Sequence, residues 1–147
     1  MKIAIANDHA GVEYKNSIVK MLEENGHEVI NFGTDSNASC DYPDYAQKVA
    51  RAVQQNTVER GILVCGTGIG MSICANKFKG VRAGLCTDEF SAEMTRLHND
   101  SNVLCLGARV IDLQTALKVA LKFISTNEPI EKKHQVRLDK IDEYSDF

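Results

Sequence analysis

Proline is scarce: two residues in 147. With ten glycines besides, a linker or long disordered tail is not expected, and the chain reads as one folded domain over residues 1–147. Positive charge is not in excess. The net charge is −3 and the pI about 5.8, which removes the electrostatic case for nucleic acid or an anionic membrane surface as partner. No apolar run approaches the roughly 20 residues of a membrane span. The opening "MKIAIANDHAG" meets Asn7 and Asp8 too early for a signal peptide. C-x-x-C is absent as well. The five cysteines, Cys40, Cys65, Cys74, Cys86 and Cys105, are odd in number and irregularly spaced. His9, His27, His98 and His134 stand far apart. Neither a disulfide scaffold nor a zinc site is expected, and free thiols fit a reducing cytoplasm.

What is present is an alternation. Apolar, β-rich runs at 2–6, 27–32, 61–65, 81–86 and 102–107 predict five strands. Between them lie helical patterns at 13–25, 42–55, 69–77 and 88–97, then a helix capped by Asp112 and a last amphipathic helix over 135–144. Pro43 falls at a tolerated first-turn position. Strands alternating with helices make βαβ units, so the fold class is α/β, with a parallel sheet covered on both faces. Ligands of such sheets bind beyond the carboxyl ends of the strands. That groups Asp8 and His9, the stretch from Cys65 to Ser72, and Arg109.

"ILVCGTGIGMS", residues 62–72, is the most informative stretch. A glycine turn leading into a helix offers a concave set of N–H donors at the positive end of the helix dipole, suited to a phosphate or a developing oxyanion. Named phosphate loops fail on inspection. A Walker A loop needs lysine after its last glycine, and Met71 follows Gly70. A dinucleotide fingerprint needs a different glycine spacing. A C-x5-R phosphatase needs arginine at position 71 to clamp the transferring group. Cys65 is then a candidate base beside an oxyanion cradle. The plain alternative is a small buried residue ending a strand, as Cys74, Cys86 and Cys105 are read.

Six strings, "NDHAG", "DYPDYA", "CGTGIGMSICANK", "GVRAGLC", "RLHND" and "LGARV", occur in this order, followed by "KHQVRLDKI". Together they resemble the type B ribose-5-phosphate isomerase family, which includes allose-6-phosphate and galactose-6-phosphate isomerases. The resemblance implies a Rossmann-like three-layer α/β/α sandwich. It implies a cofactor-free and metal-free aldose–ketose isomerase acting through a cis-enediolate. It implies a homodimer, sometimes a tetramer, with active sites shared between subunits and the C-terminal helix packed on the partner. By position, Cys65 is the base and Gly66, Gly68, Ile69, Gly70 and Met71 lie in the N–H cradle. Thr67 handles hydroxyl protons, and Asp8 and His98 open the sugar ring. Tyr42 and Asn99 contact sugar oxygens; His9, Arg109, Lys133 and Arg137 take the phosphate.

Two departures matter. Lys133 stands where many members carry arginine, giving a point charge without a fork. Met71 stands where some members use a glutamate base, so this chain resembles the cysteine branch. Cys65 and the His98-Asn99 pair occur together, which favours a self-sufficient enzyme for D-ribose 5-phosphate. A 6-phosphate hexose isomerase and a non-catalytic phosphosugar-binding module are the alternatives. Taken singly, several residues have plainer readings. Asp8 can cap a helix, and His98 can complement a helix dipole. Arg137 can face solvent. Arg82 reads as structural and Arg96 as a surface charge.

Overall fold

A computed structural model describes residues 1–147. The elements are β1 (Lys2–Asn7), α1 (Val12–Glu24), β2 (Glu28–Asn31), α2 (Tyr42–Gln54), β3 (Arg60–Cys65), α3 (Ile69–Ala75), β4 (Ala83–Leu85), α4 (Glu89–Asn99), β5 (Val103–Gly107), α5 (Leu113–Ser125) and α6 (Lys132–Tyr144), with a 3-10 turn at His9–Gly11. All strands are parallel, in the order β2-β1-β3-β5-β4. The five-stranded α/β/α sandwich expected from the alternation is what the chain forms.

Residues on each strand alternate between two cores, as the pleat requires. Ile3, Ile5, Ile62, Val64, Leu104 and Leu106 pack under α1, α4 and α5. Ala4, Ala6, Leu63, Cys65, Val103 and Cys105 pack under α2 and α3. The assignment of helices to faces follows from direction. Crossovers β1→β2 and β4→β5 step toward the β2 edge, and carry α1 and α4 on one face. Crossovers β2→β3 and β3→β4 step the other way, and carry α2 and α3 on the other. A single handedness of βαβ crossing demands that division. Because β1 and β3 leave in opposite directions, a crevice opens beyond their adjacent carboxyl ends. Asp8 and Cys65 stand at its two sides.

Several boundaries differ from the sequence reading, among them α4, which runs on to Asn99, and α3, which stops at Ala75. The second and fourth strands pair over fewer residues, and both lie partly exposed. They are the edges of the sheet, where only one side offers a partner. The last helix begins at Lys132, three residues earlier, so Lys133 and His134 lie in its first turn.

Candidate active site

The glycine turn is built from backbone geometry. β3 ends at Cys65, whose carbonyl accepts from Ala108 N–H at 2.8 Å, and Gly66 accepts from Arg109 N–H at 2.9 Å. The end of β5 therefore grips the turn from one side. Gly68 adopts φ 78°, in the left-handed region, and aims its N–H back at Cys65 Sγ, 3.1 Å away. Thr67 Oγ1 accepts from Ile69 N–H at 3.2 Å. The N–H groups of Gly66, Thr67, Gly70 and Met71 have no acceptor in the chain. Met71 is fully buried, so it offers the crevice only its backbone. Ile69 is exposed.

Other side chains close over this turn. A β-carbon on Gly70 would stand 2.6 Å from Tyr42 Cζ, so the Tyr42 ring lies directly on the glycine. A β-carbon on Gly66 would stand 3.3 Å from an Arg109 guanidinium nitrogen, which places that cation over the turn. Asp8, 6% exposed, caps the 3-10 turn by accepting from Ala10 N–H at 2.9 Å through Oδ1. The capping alternative is thus real, and it leaves Oδ2 without a protein partner. His9 Nδ1 accepts from Cys40 N–H at 3.2 Å, so the neutral ring carries its proton on Nε2. Cys40 Sγ lies 3.8 Å from the same nitrogen. The loop carrying Cys40 is tethered by Asp35 to Lys15, a lysine with no exposed surface, and by Thr34 O, which accepts from Asn7 Nδ2 at 3.1 Å.

The remaining predicted residues form a second group. His98 stacks on His134 with ring centroids 4.2 Å apart. Arg137 donates toward His134 Nδ1 at 3.3 Å. Lys133 pairs with Glu131 at 3.1 Å, both exposed. Desolvation, then the charges of His98, Lys133 and Arg137, hold the His134 imidazole below its ordinary pKa. Lys133, with hydrogen-bonding and charge, holds the Glu131 carboxyl below its usual value. Asn99 is exposed beside His98.

The two groups do not meet within one chain. Cys65 lies in register with Gly107, at the carboxyl end of the sheet. α4 runs back from that end to feed Val103, so His98 and Asn99 lie at the opposite end. The rise of β5 alone separates the levels by roughly 13 Å. No group of three or more His, Cys, Asp or Glu side chains is placed to hold a metal ion.

A match to the Ribose/Galactose Isomerase family spans residues 3–141. The chain belongs to that family. A putative sugar phosphate isomerase of Bacillus subtilis is 50% identical over 99% of this chain and 98% of its own length. The ribose-5-phosphate isomerase B of Escherichia coli is 46% identical over 95% and 93%. A solved structure of the Clostridium thermocellum ribose-5-phosphate isomerase B superposes with a TM-score of 0.94 at 47% identity, covering 97% of this chain and 96% of the other. The family assignment makes the chain a sugar phosphate isomerase of the type B group, an aldose–ketose isomerase. No helix is long and apolar enough to cross a membrane.

Within this family member, several residues escaped the sequence reading. Cys40 reaches His9 from a polar loop, and Lys15 of α1 tethers that loop through Asp35, with no local motif to mark either. Arg96 is not a surface charge. Its side chain is 12% exposed and bonds Asp100 and Ser101 O. Arg82 is structural, paired with Asp100. Cys86 and Cys105 are buried as expected, whereas Cys74 is only half-buried.

Proposed function

We propose that the chain interconverts D-ribose 5-phosphate and D-ribulose 5-phosphate through a cis-enediolate, with Cys65 as the base. The observation that carries this is Cys65 Sγ at the lip of a turn whose Gly66, Thr67, Gly70 and Met71 N–H groups are unpaired. The proton to be moved is on carbon, and its barrier is set by charge appearing on the neighbouring oxygen. Cys65 takes the proton from C2 of the open aldose while the C1 oxygen takes the charge. Cys65 returns a proton to C1, partly after exchange of its thiol with solvent, and Thr67 passes the O2 proton to O1. Each fixed donor aimed at that oxygen lowers the barrier by about 3 kcal/mol. Ring opening precedes this, because the closed sugar has no acidic C–H. Asp8 and His98 serve as its acid–base pair. The E. coli and C. thermocellum relatives are ribose-5-phosphate isomerases by name, which supports the pentose substrate.

His98 cannot approach Cys65 of its own chain, so the complete site takes His98, Asn99, Lys133 and Arg137 from a second copy. Exposed Ile69, Ile73, Leu85 and Phe90 beside the crevice, and exposed Val136, Ile141 and Tyr144 on α6, supply apolar surface for that homodimer. His9 Nε2–H and Arg109 from one subunit, with Arg137 and Lys133 from the other, hold the phosphate. The N-terminal turn of α6 supports an anion by its dipole.

The test is ketose formation from ribose 5-phosphate, with solvent deuterium entering at the transferred position. Cys65→Ala should lose about 10³-fold in kcat with its unfolding temperature little changed. Undiminished turnover in that variant would sink the assignment of the base.

A further inference from the structure

We propose that Asp100 is a positioning residue: bridged by Arg82 and Arg96, it fixes the end of α4 that carries His98 and Asn99. This rests on the functional reading above only for its effect on catalysis; the clamp itself is a matter of geometry.

His98 and Asn99 are exposed residues in the last turn of a helix, where fraying is the rule. Neither side chain makes a hydrogen bond within the chain, and the His98 ring stacks on that of His134. Their direction must come from the backbone that follows. Asp100 sits there at φ 44°, ψ 42°, in the left-handed region. Glycine or asparagine usually fills this place, because a β-carbon crowds the next carbonyl. Aspartate tolerates this conformation, but its negative charge stands at the negative end of the helix dipole, so the carboxylate needs another reason.

Both of its oxygens are used. Oδ2 accepts from Arg82 at 2.8 Å and Oδ1 from Arg96 at 3.0 Å. Arg82 also donates from Nε to the Asp100 carbonyl at 3.1 Å. The two arginines come from different places, one from the connection entering β4 and the other from α4 itself. Arg96 is anchored in turn to Ser101 O at 2.6 Å and lies over the Phe123 ring at 5.9 Å. Thr95 and Ser101 hydroxyls meet at 2.6 Å behind the turn. A fixed framework thus holds one carboxylate, which holds the exposed pair. Left-handed non-glycine residues persist where the surroundings over-determine them, and here the surroundings are two guanidinium forks.

The experiment compares Asp100→Gly, Asp100→Asn and Arg82→Gln in the full-length protein. Readouts are the carbon-bound ring protons of His98 by NMR, steady-state turnover of ribose 5-phosphate, and thermal unfolding. Glycine suits the backbone, so Asp100→Gly should unfold within about 4 °C of the parent. Its His98 signals should broaden and lose their contact with His134. Its kcat should fall about tenfold or more with KM within about threefold. Asparagine keeps the backbone conformation and one arginine bond, and should restore most of the turnover. Arg82→Gln leaves the α4 backbone sequence intact and should displace the same His98 signals. Unchanged His98 signals in Asp100→Gly and Arg82→Gln overturn the proposal. So does a turnover loss that merely follows unfolding temperature and is equal in the glycine and asparagine variants. If the parent protein itself fails to turn over ribose 5-phosphate, the functional reading fails, and the NMR comparison still decides the clamp.

Discussion

The two groups of candidate residues are built on different principles. Around Cys65 the geometry is set by backbone: a left-handed glycine, carbonyls of the turn held by the end of β5, and a tyrosine ring seated on Gly70. Almost nothing there depends on a flexible side chain. Around His98 the geometry is set by side chains at helix ends: a stacked pair of rings, an arginine on the second ring, and an exposed lysine–glutamate pair. The first group gathers all its unpaired N–H donors within one chain, as the proposed oxyanion site requires. The second has cations and two imidazoles but no thiol and no N–H cradle within reach. The difference shows which half must be rigid. Charge developing on an oxygen needs donors already in place, whereas phosphate and hydroxyl groups tolerate charges that adjust.

The strongest way to break that division is to separate the halves genetically. His98→Ala and Cys65→Ala should each be nearly inactive alone. Dissociated and reassociated together in equal amounts, they should regain about a quarter of the parent activity, since half of the dimers are mixed and each holds one intact site. No recovery, with mixed dimers demonstrated by mass spectrometry, would place both residues in the same half. Next in size is Gly70→Ala. Its β-carbon meets the Tyr42 ring, so we expect KM for the sugar phosphate to rise about tenfold as the ring is displaced. A crystal structure of the variant with Tyr42 unmoved contradicts this.

A smaller effect is expected from Lys15→Met. It removes one of the two tethers of the loop whose Cys40 N–H orients His9, and KM should rise about threefold with kcat held. Inorganic phosphate competing equally well against both proteins would argue that the loop does not act through His9. The smallest effect concerns pH. His134 is held below its ordinary value of 6.5 by desolvation and by His98, Lys133 and Arg137, against Glu131. The unfolded chain therefore takes up the proton first. The neutral ring contributes stability in full above pH 6.5, and that contribution is lost as pH falls toward the folded-state value. Thermal unfolding at pH 7.5 and 5.5 should show a larger acid loss in the parent than in His134→Gln. His27, also lowered by desolvation and the N-terminal charge, adds a loss of the same sign to both proteins.

Much of this was legible in the order of residues. Inner strands β1, β3 and β5 are continuous apolar runs because both faces are covered, and such runs can be read without neighbours. The glycine turn could be read because a positive φ and close approach demand glycine locally. Arg96 could not be read correctly. Its identity as a buried clamp depends on Asp100, Ser101 and Phe123, and Phe123 comes from another helix. Cys40 was equally invisible, since its contact with His9 spans a loop with no periodicity.

By itself the sequence determined the α/β alternation, the two-faced core and the backbone chemistry of the turn after β3. These depend on interactions between near neighbours in the chain, and pattern and residue type express them directly. The tertiary structure alone decided the strand order, the edge status of β2 and β4, and the separation of His98 from Cys65. Those follow from the directions in which crossovers step across the sheet. A strand's step to left or right leaves no mark on the residues of the strand itself.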